Sequence, residues 1–176
     1  MSFPIIEESK VLTATTDFLI KRGVLPYQFS VARGKGINAT ETLAYLSGRF
    51  RAVGFSPQFT PGGADIEAFS EKEWWRVECK GSGTGTSQTQ RTNFDRALAS
   101  VVTYFEEPSN SLGVDYANVR LFLGLALPAS PAYLRELTRR VRIPLRKQLN
   151  LWVLLYDPSS GSVRAVEPTE DFKMMG

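Results

Sequence analysis

Histidine is missing altogether from this chain. Its absence excludes Ser-His-Asp triads, His-ligated metalloprotease sites, and nucleases whose base or nucleophile is an imidazole. Acid–base chemistry is left to carboxylates, lysines and tyrosines. Cysteine is nearly missing too: the single thiol, Cys79, has no partner for an internal disulfide and no neighbouring Cys or His with which to build a zinc site. That fits a reducing compartment. Long apolar runs are also lacking. Residues 119–128 fall far short of the roughly 20 needed to cross a bilayer, and the start Met1-Ser2-Phe3-Pro4 lacks the basic and apolar regions of a signal peptide. The expectation is a cytoplasmic protein with no membrane attachment.

What is present suffices for one good-sized core. The chain has 176 residues, 43% of them hydrophobic and 22% charged, which predicts a single domain spanning residues 1–176. A net charge of +3 and a pI near 9.1 are compatible with a nucleic-acid partner without arguing for one.

Apolar Ile6, Val11, Leu12, Phe18 and Leu19 recur at near-helical spacing over residues 5–22, and Gly23 follows as a stop signal. After a loop containing Arg33, Gly34, Lys35 and Gly36, Asn38 or Thr40 is placed to cap a second helix that runs to about Val53. Leu43, Leu46, Phe50 and Val53 form its apolar stripe. Three short extended runs follow, at residues 56–60, 64–70 and 74–80, and read as a meander. A Gly/Ser/Thr loop over 81–88 precedes a helix predicted from Asn93 to Phe105, closed by Pro108. The run 119–127 reads as a strand covered on both faces. A basic helix over 131–149, kinked or broken near Pro144, leads to a second buried strand at 151–156 and an edge strand at 162–166. This mixed order predicts an α/β fold, a central mixed sheet flanked by helices.

Chemistry concentrates in the extended run Trp74-Trp75-Arg76-Val77-Glu78-Cys79-Lys80. Side chains alternate between faces along a strand, so Trp75, Val77 and Cys79 point one way and Arg76, Glu78 and Lys80 the other. Asp65 lies thirteen positions before Glu78, at the start of the preceding run, where a meander lays it beside Glu78. Two close carboxylates repel unless a hard cation such as magnesium sits between them on oxygen ligands. Magnesium keeps several waters in such a site, and one of them, with its pKa lowered by the ion and its position fixed by Lys80, is a nucleophile for a phosphodiester.

The segments Gly63-Ala64-Asp65-Ile66 and Val77-Glu78-Cys79-Lys80 together resemble the two motifs of the PD-(D/E)XK nuclease superfamily, whose fold is restriction-endonuclease-like. Ala64 stands where the family often has proline. In element order the resemblance extends over roughly residues 40–156, which would be the core of the nuclease domain. It implies a metal-dependent endonuclease that cuts DNA to leave a 5′-phosphate and a 3′-hydroxyl, with Mg2+ as cofactor and Mn2+ able to substitute. It implies Asp65 and Glu78 as metal ligands, the Cys79 backbone carbonyl as a third, and Lys80 as the group that orients or helps deprotonate the water. Members often add an acid from the helix before the meander, which matches Glu41, and some a glutamine after the second motif, which matches Gln90 or Gln88.

The sulfur of Cys79 is read as core rather than nucleophile. The Gly81-Ser82-Gly83-Thr84-Gly85 loop lacks the Gly-Lys-Ser/Thr ending of a P-loop. Arg139 and Arg140, with Arg135, Arg142, Arg146 and Lys147 on the same basic stretch, are candidates for backbone phosphate contact, as are Arg33, Lys35, Arg49 and Arg51. DNA is the expected partner, RNA an open alternative. Cutting two strands predicts a homodimer. Another expectation from the same residues is a catalytically silent nucleic-acid-binding module, or a subunit active only with a partner recognition protein.

Overall fold

The structure, a computed structural model, describes residues 4–30, 39–51, 54–84, 86–113 and 116–172. In chain order the elements are α1 (Glu8–Lys21), β1 (Leu25–Ser30), α2 (Ala39–Arg51), β2 (Gln58–Thr60), β3 (Ile66–Phe69), β4 (Glu73–Cys79), α3 (Ser87–Thr103), α4 (Pro108–Leu112), β5 (Arg120–Pro128), α5 (Pro131–Arg140), α6 (Ile143–Leu149), β6 (Leu151–Asp157) and β7 (Ser162–Val166). The strands form one mixed sheet of seven in the order β2-β1-β3-β4-β5-β6-β7. Helices flank it, so the class is α/β, as the element order predicts.

Strands β4, β5 and β6 run parallel, and β3 joins β4 as an antiparallel hairpin. Residues of β5 and β6 are buried almost from end to end, because helices cover both faces and leave no side for polar alternation. One core cluster lies beneath α1 and α2 and holds Val11, Leu19, Phe29, Leu46, Phe50, Trp75, Val77 and Cys79. The other lies beneath α3 and α5 and holds Trp74, Phe94, Val101, Leu123, Leu125, Tyr133 and Leu137. The expected alternation along β4 is therefore present, with one tryptophan ring in each cluster. Burying each of these rings contributes on the order of 2–3 kcal/mol.

The three-strand meander is corrected. The strand β1, which the periodicity did not reveal, lies between β2 and β3. It pairs parallel with β2 and antiparallel with β3. Pro26 sits within β1 beside a register irregularity between Pro26 and Gln28, and proline in an extended run weakens the strand signal. The sheet thus reaches beyond residues 40–156 at both ends of the chain, taking in β1 and β7.

Helix α3 begins at Ser87 rather than Asn93. Thr86 caps it, its side chain accepting from the Thr89 amide at 3.2 Å. The first two turns are polar apart from their contact side, where Gln90 is buried, so apolar periodicity detects only the later part. Pro108 opens the short α4 instead of closing α3. The basic stretch is broken as expected: α5 ends at Arg140, and α6 starts with Pro144 in its first turn, where a missing N–H leaves no helical bond unmade. Among the described residues no helix is long and apolar enough to cross a membrane.

Candidate active site

The hairpin register explains why Asp65 and Glu78 meet. Ile66 lies opposite Val77 and Glu67 opposite Arg76. One further step in that antiparallel register puts Asp65 opposite Glu78, and the Asp65 Oδ2 accepts the Cys79 amide at 2.7 Å. The spacing of the two acids in the sequence is thus a consequence of how long this hairpin is.

Lys80 leaves the end of β4 and turns its ammonium back over these acids. Its Nζ lies 2.7 Å from Glu78 Oε1, 3.6 Å from Asp65 Oδ2 and 3.7 Å from Glu8 Oε2, and donates to the Cys79 carbonyl at 2.8 Å. Burial works against the charge on Lys80, but Asp65, Glu8 and Glu78 outweigh it and hold its pKa above the ordinary lysine value. Lys80 is therefore a fixed cation and a poor proton acceptor at neutral pH. Burial is also the main cause that pushes Asp65 up to about 7; the charges of Glu78 and Glu8 add to it against the pull of Lys80 and the Cys79 N–H. Three carboxylates share one ammonium, which leaves the cluster short of positive charge.

Glu8 is the acid that sequence reasoning missed. It stands in the first turn of α1, and α1 is brought to the end of β4 by the segment before it. The Ser82 amide donates to the Ile6 carbonyl at 2.8 Å, and the Ile6 amide donates to Ser82 Oγ at 2.6 Å. Glu41, expected as the helix-borne acid, is exposed in the first turn of α2. The reason for the difference is topological: α1, not α2, delivers its N-terminus to the end of β4. A glutamate at the start of a helix is too common a pattern to single out Glu8 in the sequence.

Tyr104, at the C-terminal end of α3, was also missed. Its hydroxyl donates to Glu78 Oε2 at 2.6 Å, and its oxygen lies 3.3 Å from the Gly63 carbonyl. Arg76, on the same face of β4 as Glu78, donates to the Tyr104 carbonyl at 3.1 Å and pairs with Glu67 and Glu106. Glu67 in turn accepts the Tyr27 hydroxyl at 2.6 Å.

Gln90 is buried at 2% exposure and accepts from Ser130 Oγ, the residue that caps α5, so it joins α3 to the start of α5. Gln88 is exposed. The Cys79 sulfur is fully buried, and burial, with the nearby Asp65 charge, pushes its thiol well above the usual range, as befits a core residue. Arg139 pairs with Glu136 at 2.9 Å, and Arg140 pairs with Asp95 and Glu136. Such surface pairs are weak enough to be exchanged for phosphate. Arg146 is instead structural: buried at 1% exposure, it donates to the Glu167 and Glu170 carbonyls. Arg49 pairs with Asp17 at 2.8 Å. Arg33 and Lys35 lie outside the described residues.

The donor set suits a small hard cation. Asp65, Glu78 and the Cys79 carbonyl offer oxygen alone, and the deficit of positive charge around Asp65 is what a divalent ion would relieve. Among the described residues no three His, Cys, Asp or Glu side chains are gathered closely enough to enclose an ion. Two carboxylates and a carbonyl form the sparse set with which magnesium keeps several of its waters.

Compared with family models, curated proteins and solved structures, the chain finds a match in none of the three.

Proposed function

We propose that this chain is a metal-dependent endonuclease of restriction-endonuclease-like fold that hydrolyses DNA phosphodiester bonds. The observation that carries this reading is the placement of Lys80 between Glu78 at 2.7 Å and Asp65 at 3.6 Å, with Asp65 held on the Cys79 amide. An acid-x-Lys triplet by itself is usually a solvated strand face. Here Glu78 is 5% exposed and converges with a second acid from the edge of the neighbouring strand, and the two share the Lys80 ammonium with Glu8.

In this reading Asp65, Glu78 and the Cys79 carbonyl hold Mg2+ or Mn2+, with Glu8 beside them. When bound, the ion supplies an acidified water and offsets charge on the phosphoryl oxygens. The Lys80 ammonium, held by its three carboxylates, would orient the attacking water. Arg139 and Arg140 on α5 would give up their surface pairs for backbone phosphates. Cleavage of both strands by one site per chain favours a two-fold pair of chains.

A second reading, a nucleic-acid-binding subunit that is silent or acts only with a partner recognition protein, is favoured by one observation. The Lys80 ammonium already lies on two of the three candidate ligands, 2.7 Å from Glu78 Oε1 and 2.8 Å from the Cys79 carbonyl, and supplies there positive charge of the kind an ion would bring. The deciding experiment incubates the purified protein with supercoiled, linear and four-way-junction DNA in Mg2+, Mn2+ or EDTA, beside Lys80→Ala and Asp65→Ala. Cutting that needs the metal and is lost in both variants supports the nuclease. Equal DNA binding by all three proteins, with no cutting even in Mn2+, supports the silent or partner-dependent subunit.

A further inference from the structure

We propose that Tyr104 is a positioning residue for the metal-binding carboxylate of Glu78, an inference that rests on the nuclease reading and assigns this site a support from α3. The hydroxyl donates to Glu78 Oε2 at 2.6 Å while Lys80 takes Oε1 at 2.7 Å, so the carboxylate is gripped at both oxygens and its plane is fixed. Each carboxylate oxygen has two lone-pair directions, so a hydroxyl and a metal ion can share one oxygen. The two hydrogen bonds therefore orient Glu78 for an ion without displacing it. Partners that orient a ligating carboxylate from outside typically change metal affinity 10- to 100-fold when removed.

Two further contacts show that Tyr104 is itself held in place. Arg76 donates to its backbone carbonyl at 3.1 Å, and the guanidinium lies 5.1 Å from the centre of its ring. The tyrosine oxygen also sits 3.3 Å from the Gly63 carbonyl, two residues before Asp65. One hydroxyl thus lies between the chain segment carrying Asp65 and the segment carrying Glu78. A freely solvated tyrosine would give none of this, and a purely packing tyrosine would not need its oxygen.

The test is Tyr104→Phe, which keeps the ring and removes the hydroxyl. Mn2+ is titrated into wild type, Tyr104→Phe, Glu78→Gln and Tyr27→Phe without DNA. The six-line paramagnetic resonance signal of free Mn2+ is followed, and the thermal midpoint of each protein is recorded. Tyr27 is the control, because its hydroxyl makes a bond of the same 2.6 Å length, but to Glu67. The expected result is Mn2+ binding weakened at least about 10-fold in Tyr104→Phe, abolished in Glu78→Gln and unchanged in Tyr27→Phe, with the fold intact in all. Wild-type affinity in Tyr104→Phe, or an equal loss in Tyr27→Phe, overturns the positioning role while leaving the metal site standing. If wild type itself takes up no Mn2+, the metal reading falls and the positioning role with it.

Discussion

Gly81 lies so close to the start of α1 that a Cβ built on it would fall 2.6 Å from the Glu8 amide nitrogen and closer still to the Ile6 carbonyl oxygen. The neighbours are backbone, which cannot swing aside as a side chain would. Gly81→Ala must therefore push the segment leading into α1 away from the end of β4, and Glu8 with it. We expect a loss of roughly 1–3 kcal/mol in denaturant unfolding and weaker cutting in Mg2+. Wild-type stability in this variant would show that the approach is looser than the structure has it.

Asp65 and Lys80 should respond to substitution with opposite signs. Asp65→Asn removes one of three mutually repelling carboxylates from a partly buried place, so the metal-free protein should melt higher, by roughly 2–4 °C for each kcal/mol relieved. Lys80→Ala removes the one cation that Asp65, Glu78 and Glu8 share, and the metal-free midpoint should fall. Added Mg2+ should raise the wild-type midpoint and leave that of Asp65→Asn nearly unmoved. Calorimetry with and without EDTA checks all three.

At the other end of α1, Arg22 grips Glu73 through two hydrogen bonds of 2.9 and 2.8 Å while its guanidinium lies over the rings of Trp75, Phe122 and Trp152. Burial alone would raise the Glu73 pKa. The bonds from Arg22 and from Trp75 Nε1 outweigh it and hold the carboxyl below its ordinary value. A depressed folded-state pKa contributes stability that is present above the unfolded pKa and lost as pH falls through the folded one. The stability difference between wild type and Glu73→Gln should thus be full above the ordinary glutamate pKa of about 4.3 and shrink as pH falls below it. A difference that stays constant as pH falls would remove the carboxylate's charge from the account.

Arg139 and Arg140 test the DNA face. Arg139 is exposed, so Arg139→Ala should change folding stability by no more than about 0.5 kcal/mol, whereas Arg140→Ala, which also gives up a guanidinium lying 5.1 Å from the centre of the buried Phe94 ring, should cost up to about 1 kcal/mol. If they contact phosphates, each replacement lowers the slope of log affinity against log salt by about 1, uniformly across DNA sequences. An unchanged slope would move the DNA path elsewhere on the molecule.

The local chemistry of the hairpin was open to inspection in the sequence. Alternation along residues 74–80 places Glu78 on one face and Trp75, Val77 and Cys79 on the other, because a strand has a period of two wherever it lies. The buried runs that became β5 and β6, the break before Pro144 and the flanking helices follow equally from short-range apolar pattern and proline chemistry. Gly23, with φ of 82°, ends α1 as such glycines do. What pattern could not supply was the order in which strands pair. The strand β1 carries a proline and an irregular register, and its insertion between β2 and β3 depends on partners distant in the chain.

That long-range order also decided who stands around Lys80. The sequence determined that Asp65, Glu78 and Lys80 would converge, since one antiparallel register and one strand alternation suffice to bring them together. Only the tertiary structure brought Glu8 across from α1 in place of Glu41, set Tyr104 against Glu78 from the far end of α3, and tied Gln90 to Ser130. Those contacts join residues 26 to 72 positions apart, and their geometry comes from helices packing on a finished sheet, which no local pattern of residues encodes.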